Sequence, residues 1–366
     1  MKLLVSKTLL LKALEGVTGS NYIVDGKEDS SILIYSDNYT LTIVGGNSEN
    51  RCEMVLPADV EETGEIIIAS KDIDKRIKGI PTKDISVRGN ENFIFFEAAD
   101  SETTKSSYST KFEACESDKF TDFDEVKNIE LSHLNAGELS VALACAISAA
   151  DKKAIKPEIR NVCMSLDSGK ISFVGLSSLN LQRYTFDGCK PEISKTVVIP
   201  YDGCKNIAKI LKKNKNTVEI FLQKNNLGYF LVVKTHIGYF YLKVLSSKYP
   251  DYSCLCDISH ADSCVSFNTN YLRQLVNSIS GIRKGSSISF ILNDLKQIEM
   301  SAADVSIVCT GDVKGNFNGV SFEAKPFKDM LSVMSAEQCT IYIVRDCICV
   351  IQSSDGKMVN VNSLIK

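Results

Sequence analysis

The chain lacks both the long apolar runs that cross a membrane and the short motifs that mark common enzyme active sites. No stretch of its 366 residues approaches the roughly 20 consecutive apolar residues that a bilayer-spanning helix needs. G-x-S-x-G, a Gly-rich phosphate loop and H-E-x-x-H are also missing, and the Gly45-Gly46 pair lies in a hairpin-like context typical of a turn. Because no nucleophile, base and electrophile can be assembled, we predict that the chain is not an enzyme.

Histidine is scarce, which argues against a metal centre. The chain has 13 cysteines but only three histidines, and its close cysteine pairs, Cys254/Cys256 and Cys347/Cys349, have C-x-C rather than C-x-x-C spacing. On alternating, strand-like segments such pairs point to one sheet face, and few histidines exist to complete a zinc shell. We therefore predict reduced cysteines that pack as small apolar side chains, with no metal and no cofactor.

A secretory leader is not indicated either. The N-terminus MKLLVSKTLLLKAL superficially resembles a signal peptide, but Lys7 and Lys12 interrupt its apolar stretch and no small-residue cleavage site follows. Hydrophobic residues make up 44% of the chain and charged residues 24%, which are ordinary values for a globular protein. We expect a cytoplasmic protein with no membrane partner.

What the sequence does contain is an internal repeat. A strand followed by a helix recurs three times, in EIIIASKDIDKRIKGIPTKDISV, KTVVIPYDGCKNIAKILKKNKNTVEIFL and GVSFEAKPFKDMLSVMSAEQCTIYIV. The spacing is constant across the copies. The strands end at Ile68, Ile199 and Phe322. Five residues after these strand ends come the first buried helix positions, Ile73, Cys204 and Phe327. Nineteen residues after the same strand ends come Val87, Val218 and Ile341, each in a new alternating strand.

A second strand-helix unit precedes each of these copies. Its versions are LLVSKTLLLKALEGV from Leu3, IELSHLNAGELSVALACAIS from Ile129 and SCVSFNTNYLRQLVNSIS from Ser263. Between the helices, apolar and polar residues alternate as they do in strands, and turn residues such as Asp355-Gly356 separate the segments. We predict an α+β protein of three modules, 1–125, 126–252 and 253–366, each with two helices packed on antiparallel sheet.

Charge is unevenly distributed between the predicted helices and the rest of the chain. The helix windows 6–17, 70–79, 137–153, 201–213, 269–284 and 324–334 carry net charges of +1, +2, 0, +3, +3 and +1. Together they carry +10, which leaves −13 for the remainder of a chain whose total is −3. The helix-bearing surface should therefore attract phosphate and the sheet-bearing surface should repel it.

Basic residues also follow one side of individual helices. Lys71, Lys75 and Lys78 fall opposite Ile73 and Ile77, as expected if one helix face is cationic and the other apolar. Lysine neutralises backbone phosphate without reading base sequence, and no aromatic residues that would stack on unpaired bases are interleaved, which favours duplex DNA. The alternative is that these lysines are ordinary solvent-exposed residues, because lysines are common on exposed helix faces. The candidate DNA contacts are Lys12, Lys71, Lys75, Lys78, Lys152, Lys153, Lys205, Lys209, Lys212, Lys213, Arg273, Arg283 and Lys284.

The sequence resembles the bacterial DNA polymerase III beta subunit, the beta sliding clamp, from end to end. Similar segments are the opening MKLLVSKTLLLKALEGVTG, the module-closing YSTKFEACESDKFTDF, the helices in IIIASKDIDKRIKGIP and TVVIPYDGCKNIAKIL, and FYLKVLSSKYPDY. The resemblance implies a head-to-tail homodimer in which six modules form a ring around duplex DNA, with the basic helices inward. Subunit contacts are then expected near Tyr108, Ile298 and Val305.

The resemblance also implies a groove for partner peptides, used by the replicative polymerase, the clamp loader, and repair polymerases and other factors with short clamp-binding motifs. Without the resemblance, ordinary core packing would be the preferred interpretation of the groove residues named next. Carried over to this chain, the groove residues are Ile159, Leu176, Leu179, Leu181, Pro250, Leu255, Ile351, Val359, Val361 and Leu364.

The chain departs from the family pattern at three places. Leu176-Ser177-Ser178-Leu179-Asn180-Leu181 stands where the family has Thr-Asp-Gly-His-Arg-Leu, the usual proline near the C-terminus is replaced around Asn362, and an arginine expected in the loop at 22–26 is missing. These changes affect partner specificity and one DNA contact. We predict a non-enzymatic processivity factor, with a repeat-built interaction scaffold that never encircles DNA as the alternative.

Overall fold

A computed structural model describes residues 1–20, 30–47, 49–99, 108–117, 120, 127–190, 194–212, 214–279, 285–293, 295, 297–302, 304–317, 319–344 and 348–365. Its helices are α1 (Lys7–Thr18), α2 (Ile73–Lys78), α3 (Ala136–Ala149), α4 (Pro157–Arg160), α5 (Tyr201–Leu211), α6 (Thr269–Ser278) and α7 (Ala324–Val333), with a 3₁₀ turn at Ser253–Cys256. None of these helices, in the residues described, is long and apolar enough to cross a membrane.

The strands outnumber the helices. They are β1 (Lys2–Ser6), β2 (Ser31–Asp37), β3 (Thr40–Gly46), β4 (Asn50–Glu62), β5 (Gly64–Ala69), β6 (Asp84–Gly89), β7 (Phe93–Ala98), β8 (Ser109–Glu113), β9 (Lys127–Asn135), β10 (Val162–Asp167), β11 (Lys170–Leu176), β12 (Asn180–Phe186), β13 (Lys195–Ile199), β14 (Thr217–Asn225), β15 (Gly228–Thr235), β16 (Gly238–Lys243), β17 (Ala261–Asn268), β18 (Ser287–Leu292), β19 (Ile298–Ala302), β20 (Val305–Cys309), β21 (Asp312–Gly315), β22 (Val320–Glu323), β23 (Gln338–Val344), β24 (Ile348–Ser353) and β25 (Met358–Ser363). All pairings between them are antiparallel.

The predicted repeat is present as three strand-helix-strand segments: β5-α2-β6, β13-α5-β14 and β22-α7-β23. The helix positions Ile73, Cys204 and Phe327 are fully buried, as the spacing predicted. The preceding strand-helix units are β1-α1, β9-α3 and β17-α6. The mixture of helices and antiparallel sheet confirms the predicted α+β class.

The chain divides into two compact units. Unit 1 comprises residues 1–137 and 202–244, and unit 2 comprises residues 138–201 and 245–366. The strands of the predicted second module are therefore shared: β9 and β14 to β16 belong to unit 1, and β10 to β13 belong to unit 2. The three-module division at 125/126 and 252/253 stays a prediction, and its first boundary lies outside the described residues.

Unit 1 is built on a 12-stranded sheet in which β4 is the longest strand. β4 pairs with β1, β3 and β16, so it connects the N-terminal strands to those that follow α5. Helix α1 buries Leu10, Leu14 and Val17 against this sheet. Gly16 allows the close approach, because a Cβ there would come within 2.5 Å of Met54 Cε.

Unit 2 contains a 9-stranded sheet and a 4-stranded sheet. In the larger sheet β25 lies between β12 and β24, so a strand near residue 360 completes a sheet that begins near residue 162. An aromatic group fills the core beside the smaller sheet: Phe327 of α7 meets Phe322 and Phe290 edge-on, with ring centroids 5.3 and 6.0 Å away.

Several helices are shorter than their charge windows suggested. Helix α2 begins only at Ile73, because Asp72 adopts a left-handed conformation at φ 59°, so Lys71 lies in a turn before the helix. Lys152 and Lys153 follow the end of α3 at Ala149. The cysteine pair Cys254/Cys256 was expected on a strand, but it lies in the 3₁₀ turn, because the segment after Tyr252 turns instead of extending.

Candidate nucleic-acid and peptide interfaces

Helix α2 of unit 1 divides cleanly into an apolar and a basic side. Ile73 and Ile77 have no exposed surface, whereas Lys75 and Lys78 project into solvent on the opposite side. Lys71 is also exposed, although it precedes the helix. Lys75 is paired with Asp72 at 2.7 Å, and both groups are exposed, so solvent weakens this ion pair.

Helix α5 repeats this division and is joined to α1. Asn206 Nδ2 donates to the Gly16 carbonyl and to Ser20 Oγ, both at 2.8 Å, inside a buried contact. Lys209 Nζ forms an ion pair with Glu15 at 2.9 Å on the surface above it. These bonds place the basic residues of α5 beside those of α1 within unit 1.

Most of the predicted cations of unit 1 have no hydrogen-bond or ion-pair partner in the part of the chain that the structure describes. Among the described residues, no hydrogen bond or ion pair involves the ammonium groups of Lys12, Lys71, Lys78, Lys205 and Lys212. Lys12 also acts on its surroundings: burial and the nearby Lys12 ammonium lower the pKa of His236. Unpaired ammonium groups on packed helices are suited to contact phosphate.

The predicted cations of unit 2 are in a different situation. The guanidinium of Arg273 donates to the carbonyl oxygens of Leu331 (2.8 Å) and Met334 and to Asn270 Oδ1 (2.6 Å). These carbonyls lie at the end of α7, so Arg273 caps that helix. Its donors are therefore engaged inside the fold.

Of the remaining predicted DNA contacts, two are exposed and three lie outside the described residues. Lys152 and Lys153 are exposed, and the Lys152 ammonium lies 4.7 Å from the centroid of the Tyr201 ring. Lys213, Arg283 and Lys284 lie outside the described residues. Lys328 of α7 was not among the candidates, although the charge of its window could have indicated it.

An apolar cluster lies on one face of the 9-stranded sheet of unit 2. It brings together Leu181, Val359 and Val361, three of the predicted groove residues, and Leu176 and Leu255 pack against it half-buried. The cluster also contains Cys163, Val174, Val198, Tyr249, Val344 and Val350, which sequence reasoning did not single out. For those on strands, the alternation with residues of the other sheet face is the signal that could have indicated them; Tyr249 lies outside the strands.

The other predicted groove residues lie outside this cluster. Leu179 is 57% exposed in the turn between β11 and β12. Ile351 is fully buried, but its neighbour Val350 is the cluster member, so Ile351 points to the opposite face of the sheet. Ile159, Pro250 and Leu364 are half-buried. Of the predicted groove residues, Leu176 and Leu255 pack against the cluster and keep accessible surface, so they form its accessible apolar rim.

A polar cavity of about 810 Å³ adjoins the cluster. Tyr249 and Tyr252 contribute to both, and Pro250 lies between them in the cavity wall. Burial raises the pKa of Tyr252 to about 12, so its hydroxyl stays protonated near neutral pH. The cavity also contains Arg183, whose buried side-chain Nε has no hydrogen-bond acceptor among the described residues.

Within the described residues, those predicted to join subunits lie in or near strands that end their sheets. Tyr108, 37% exposed, directly precedes β8, which is the end strand of the sheet in unit 1. Val305 begins β20, the end strand of the 4-stranded sheet, and Val308 of that strand is 54% exposed. Ile298 is 2% exposed in β19, one strand inward, so its side chain belongs to the core of unit 2.

Solved structures that match this fold do so over its whole length. The DNA polymerase sliding clamp from Bacillus subtilis covers 100% of this chain with a TM-score of 0.82 and 16% identity, and 99% of that clamp is matched. The chain has the bacterial sliding-clamp fold. A putative DNA polymerase III beta subunit from Eubacterium rectale gives a TM-score of 0.81, with 18% identity and both chains fully covered.

Sequence comparison agrees with the clamp fold. The beta sliding clamp of Staphylococcus aureus is 19% identical over 329 residues, which are 85% of this chain and 84% of the relative. No protein-family model matches the chain. A Pseudomonas aeruginosa sliding clamp bound to griselimycin also has the clamp fold, with a TM-score of 0.81 and 16% identity over 100% of this chain and 99% of that one. The resemblance inferred from the sequence is confirmed.

Proposed function

We propose that this protein is a DNA sliding clamp, a non-enzymatic processivity factor that encircles duplex DNA as a homodimeric ring. The observation that carries the proposal is the combination of the clamp fold over the whole chain with unpaired lysines on helices α1, α2 and α5 of unit 1. Lys12, Lys78, Lys205 and Lys212 would contact phosphate oxygens through their ammonium groups. Such contacts are insensitive to base sequence, as sliding requires.

A ring needs two subunit junctions, and the unpaired strands β8 and β20 are suited to form them. Each ends its sheet, so its outward N–H groups are available for another strand, although the outward Lys111 carbonyl of β8 already accepts from Arg76 Nη1 at 3.4 Å. Pairing β8 of one subunit with β20 of the next would continue a sheet across the junction in a head-to-tail dimer. Tyr108 and Val305 would lie in this junction, while Ile298 would support it from the core.

The apolar rim of unit 2 is the proposed docking site for partner proteins. Leu176 and Leu255 provide accessible apolar surface beside the packed cluster, and Leu179 and Leu364, which are also accessible, would extend the site. A short extended or turned segment with apolar side chains could dock there. The expected partners are the replicative DNA polymerase, the clamp loader and repair polymerases that carry such segments.

Retention on circular DNA tests the proposal. The protein is loaded onto nicked circular DNA with a bacterial clamp loader and ATP, separated from free protein, and the DNA is then cut once. We expect retention on the circle and release after cutting, because a ring slides off free ends. Blocking both ends with bound streptavidin is the control that should restore retention.

Two outcomes would contradict the proposal. Retention on linear, unblocked DNA would show ordinary binding rather than encirclement. A monomer in sedimentation, with no salt-dependent DNA contact, would favour the interaction scaffold that does not encircle DNA.

A further inference from the structure

The apolar cluster and the polar cavity of unit 2 share one face of the sheet. On each of several strands, an apolar cluster residue and a polar residue of the cavity stand two positions apart. Such pairs point to the same side, because successive strand residues alternate between faces. The pairs are Cys163 and Ser165, Val174 and Ser172, Val198 and Thr196, Val359 and Lys357, and Val350 and Gln352.

Arg183 occupies an exceptional place in this pattern. It is paired in register with Val174 of β11 on one side and Val359 of β25 on the other, both of them members of the apolar cluster. A charged residue therefore stands between two apolar cluster residues of the neighbouring strands, at the border of the cavity. Its Nε is buried without an acceptor, and no ion pair of its guanidinium with a described residue exists.

The other charged groups that line the cavity mostly have local partners. Lys170 pairs with Asp187 at 3.4 Å. The Asp251 carboxylate accepts from the Ser253 amide at 3.0 Å and from its hydroxyl at 2.7 Å. What is missing is therefore an acceptor for Arg183.

Lys357 and Asp355 are also satisfied locally. The Lys357 ammonium pairs with Glu138 at 2.5 Å, and Asp355 accepts from Ser353 Oγ at 2.5 Å and from the Lys357 amide at 3.0 Å. Asp167 accepts from Ser168 Oγ at 3.0 Å. Lys248 is an exposed cation in the cavity wall, so a ligand that reaches Arg183 also meets a second positive charge.

We propose that this cavity binds a carboxylate of a peptide whose apolar side chains contact the neighbouring rim, and that Arg183 is the residue that pairs with it. The proposal rests on the proposed partner-docking role of the rim and names a second, acidic requirement for that partner. A guanidinium suits this role, because its fixed fork of donors matches the two oxygens of a carboxylate. Partial burial strengthens the pair by reducing competition from water.

The sheet geometry sets where the acid should lie in the peptide. Leu181 pairs with the rim residue Leu176, and Arg183 follows Leu181 by two positions on the same face. Two residues along a strand span about 7 Å. An extended peptide with an apolar side chain on Leu176 should therefore place its carboxylate within about two to three residues of that side chain.

Peptide selection tests the proposal without assuming a partner. Random decapeptides are selected by display on the wild-type full chain and, in parallel, on Arg183→Gln. We expect wild-type selection to enrich Asp or Glu at a fixed distance from apolar residues, and selection on Arg183→Gln to lose that preference. Amidating the C-terminus of the synthetic peptides distinguishes a side-chain carboxylate from a terminal one.

Synthetic pairs that differ only by Glu or Gln then measure the effect by fluorescence polarisation. On the wild type we expect the Gln peptide to bind about tenfold more weakly, and on Arg183→Gln we expect no difference. Arg183→Lys should keep part of the preference, because the charge remains without the fork. Lys248→Gln is the matched control and should keep most of it, and thermal unfolding checks that each variant is folded.

Three results would overturn the proposal: no acidic preference on the wild type, an equal preference on Arg183→Gln, or no selected peptide at all. Retention on circular DNA is measured on the same variants. Arg183 is absent from the basic helix face, so Arg183→Gln should be retained normally. If only the carboxylate proposal is wrong, the wild type is still retained on circular DNA. If the clamp proposal is wrong, the wild type itself is not retained.

Discussion

At the scale of single residues, the two candidate interfaces are distinguished by cations that have no partner inside the fold. Among the described residues, the ammonium groups of Lys205 on α5 and of Lys212, which directly follows this helix, have no hydrogen bond or ion pair, whereas Arg273, which looked equivalent in sequence, caps α7. Charge alone therefore does not identify a phosphate contact. A cation must also keep its donors free.

Charge reversal on α5 should weaken DNA association. We expect the double variant Lys205→Glu, Lys212→Glu to bind nicked circular DNA on the order of tenfold more weakly at 0.1 M salt, because two phosphate contacts become repulsive. Electrophoretic mobility shift at several salt concentrations measures the affinity and its salt slope.

The matched control is Lys224→Glu with Lys243→Glu, which changes the same charge on strands β14 and β16 of the same unit. This control should bind almost normally, since these lysines are absent from the helix face. Equal losses in both double variants would mean that net charge, rather than the helix face, governs binding.

At the scale of elements, the edge strands matter most, because a strand with an unpaired side determines where a subunit can join. The amide of Ala98 donates to the carbonyl of Tyr108, so residues 108, 110 and 112 turn their backbone groups towards β7. By alternation, Ser109, Lys111 and Glu113 turn theirs outward, where the Lys111 carbonyl accepts from Arg76 Nη1 at 3.4 Å and the Lys111 N–H points towards a joining strand.

Proline at position 111 should prevent dimerisation by removing an outward N–H. We expect Lys111→Pro to sediment as a monomer, because the strand loses a donor on its free side while its pairing with β7 remains. Lys111→Ala is the control, since it removes the side chain but keeps the amide, and it should stay dimeric. Dimeric Lys111→Pro would show that β8 does not form the junction.

The elements also show how far the sequence could predict the structure. Constant spacing placed the buried positions Ile73, Cys204 and Phe327 correctly, because helix and strand periodicity are local properties. The left-handed Asp72 that delays α2 could not be foreseen, since non-glycine residues rarely adopt that conformation. Arg183 was also missed, because its unusual row exists only once β25 pairs with β12, about 175 residues away in the chain.

At the scale of the whole molecule, most cysteines are part of the packed interior. Cys52, Cys204 and Cys349 are buried in the cores of units 1 and 2, while Cys115 and Cys254 are exposed. Burial raises the pKa of the thiols, and the thiolate is the reactive form. The cysteines therefore report on the integrity of both units at once.

A brief pulse of iodoacetamide at pH 7.5 should modify Cys115 and Cys254 first. Cys145 and Cys339 should stay unmodified, since burial raises the pKa of each thiol to about 12, and should react only in denaturant. Peptide mass spectrometry measures each site; Cys347 lies outside the described residues and is not scored. Labelling of Cys145 as fast as Cys115 would contradict the packing of unit 2.

The position of β25 has a consequence for biosynthesis. This strand lies inside its sheet, between β12 and β24, although it is translated almost 180 residues after β12. Until residue 363 has left the ribosome, β12 and β24 each present an apolar face and an unpaired edge. We therefore expect unit 2 to complete its fold only after translation of this strand, and nascent chains that stop before β25 to depend on chaperones.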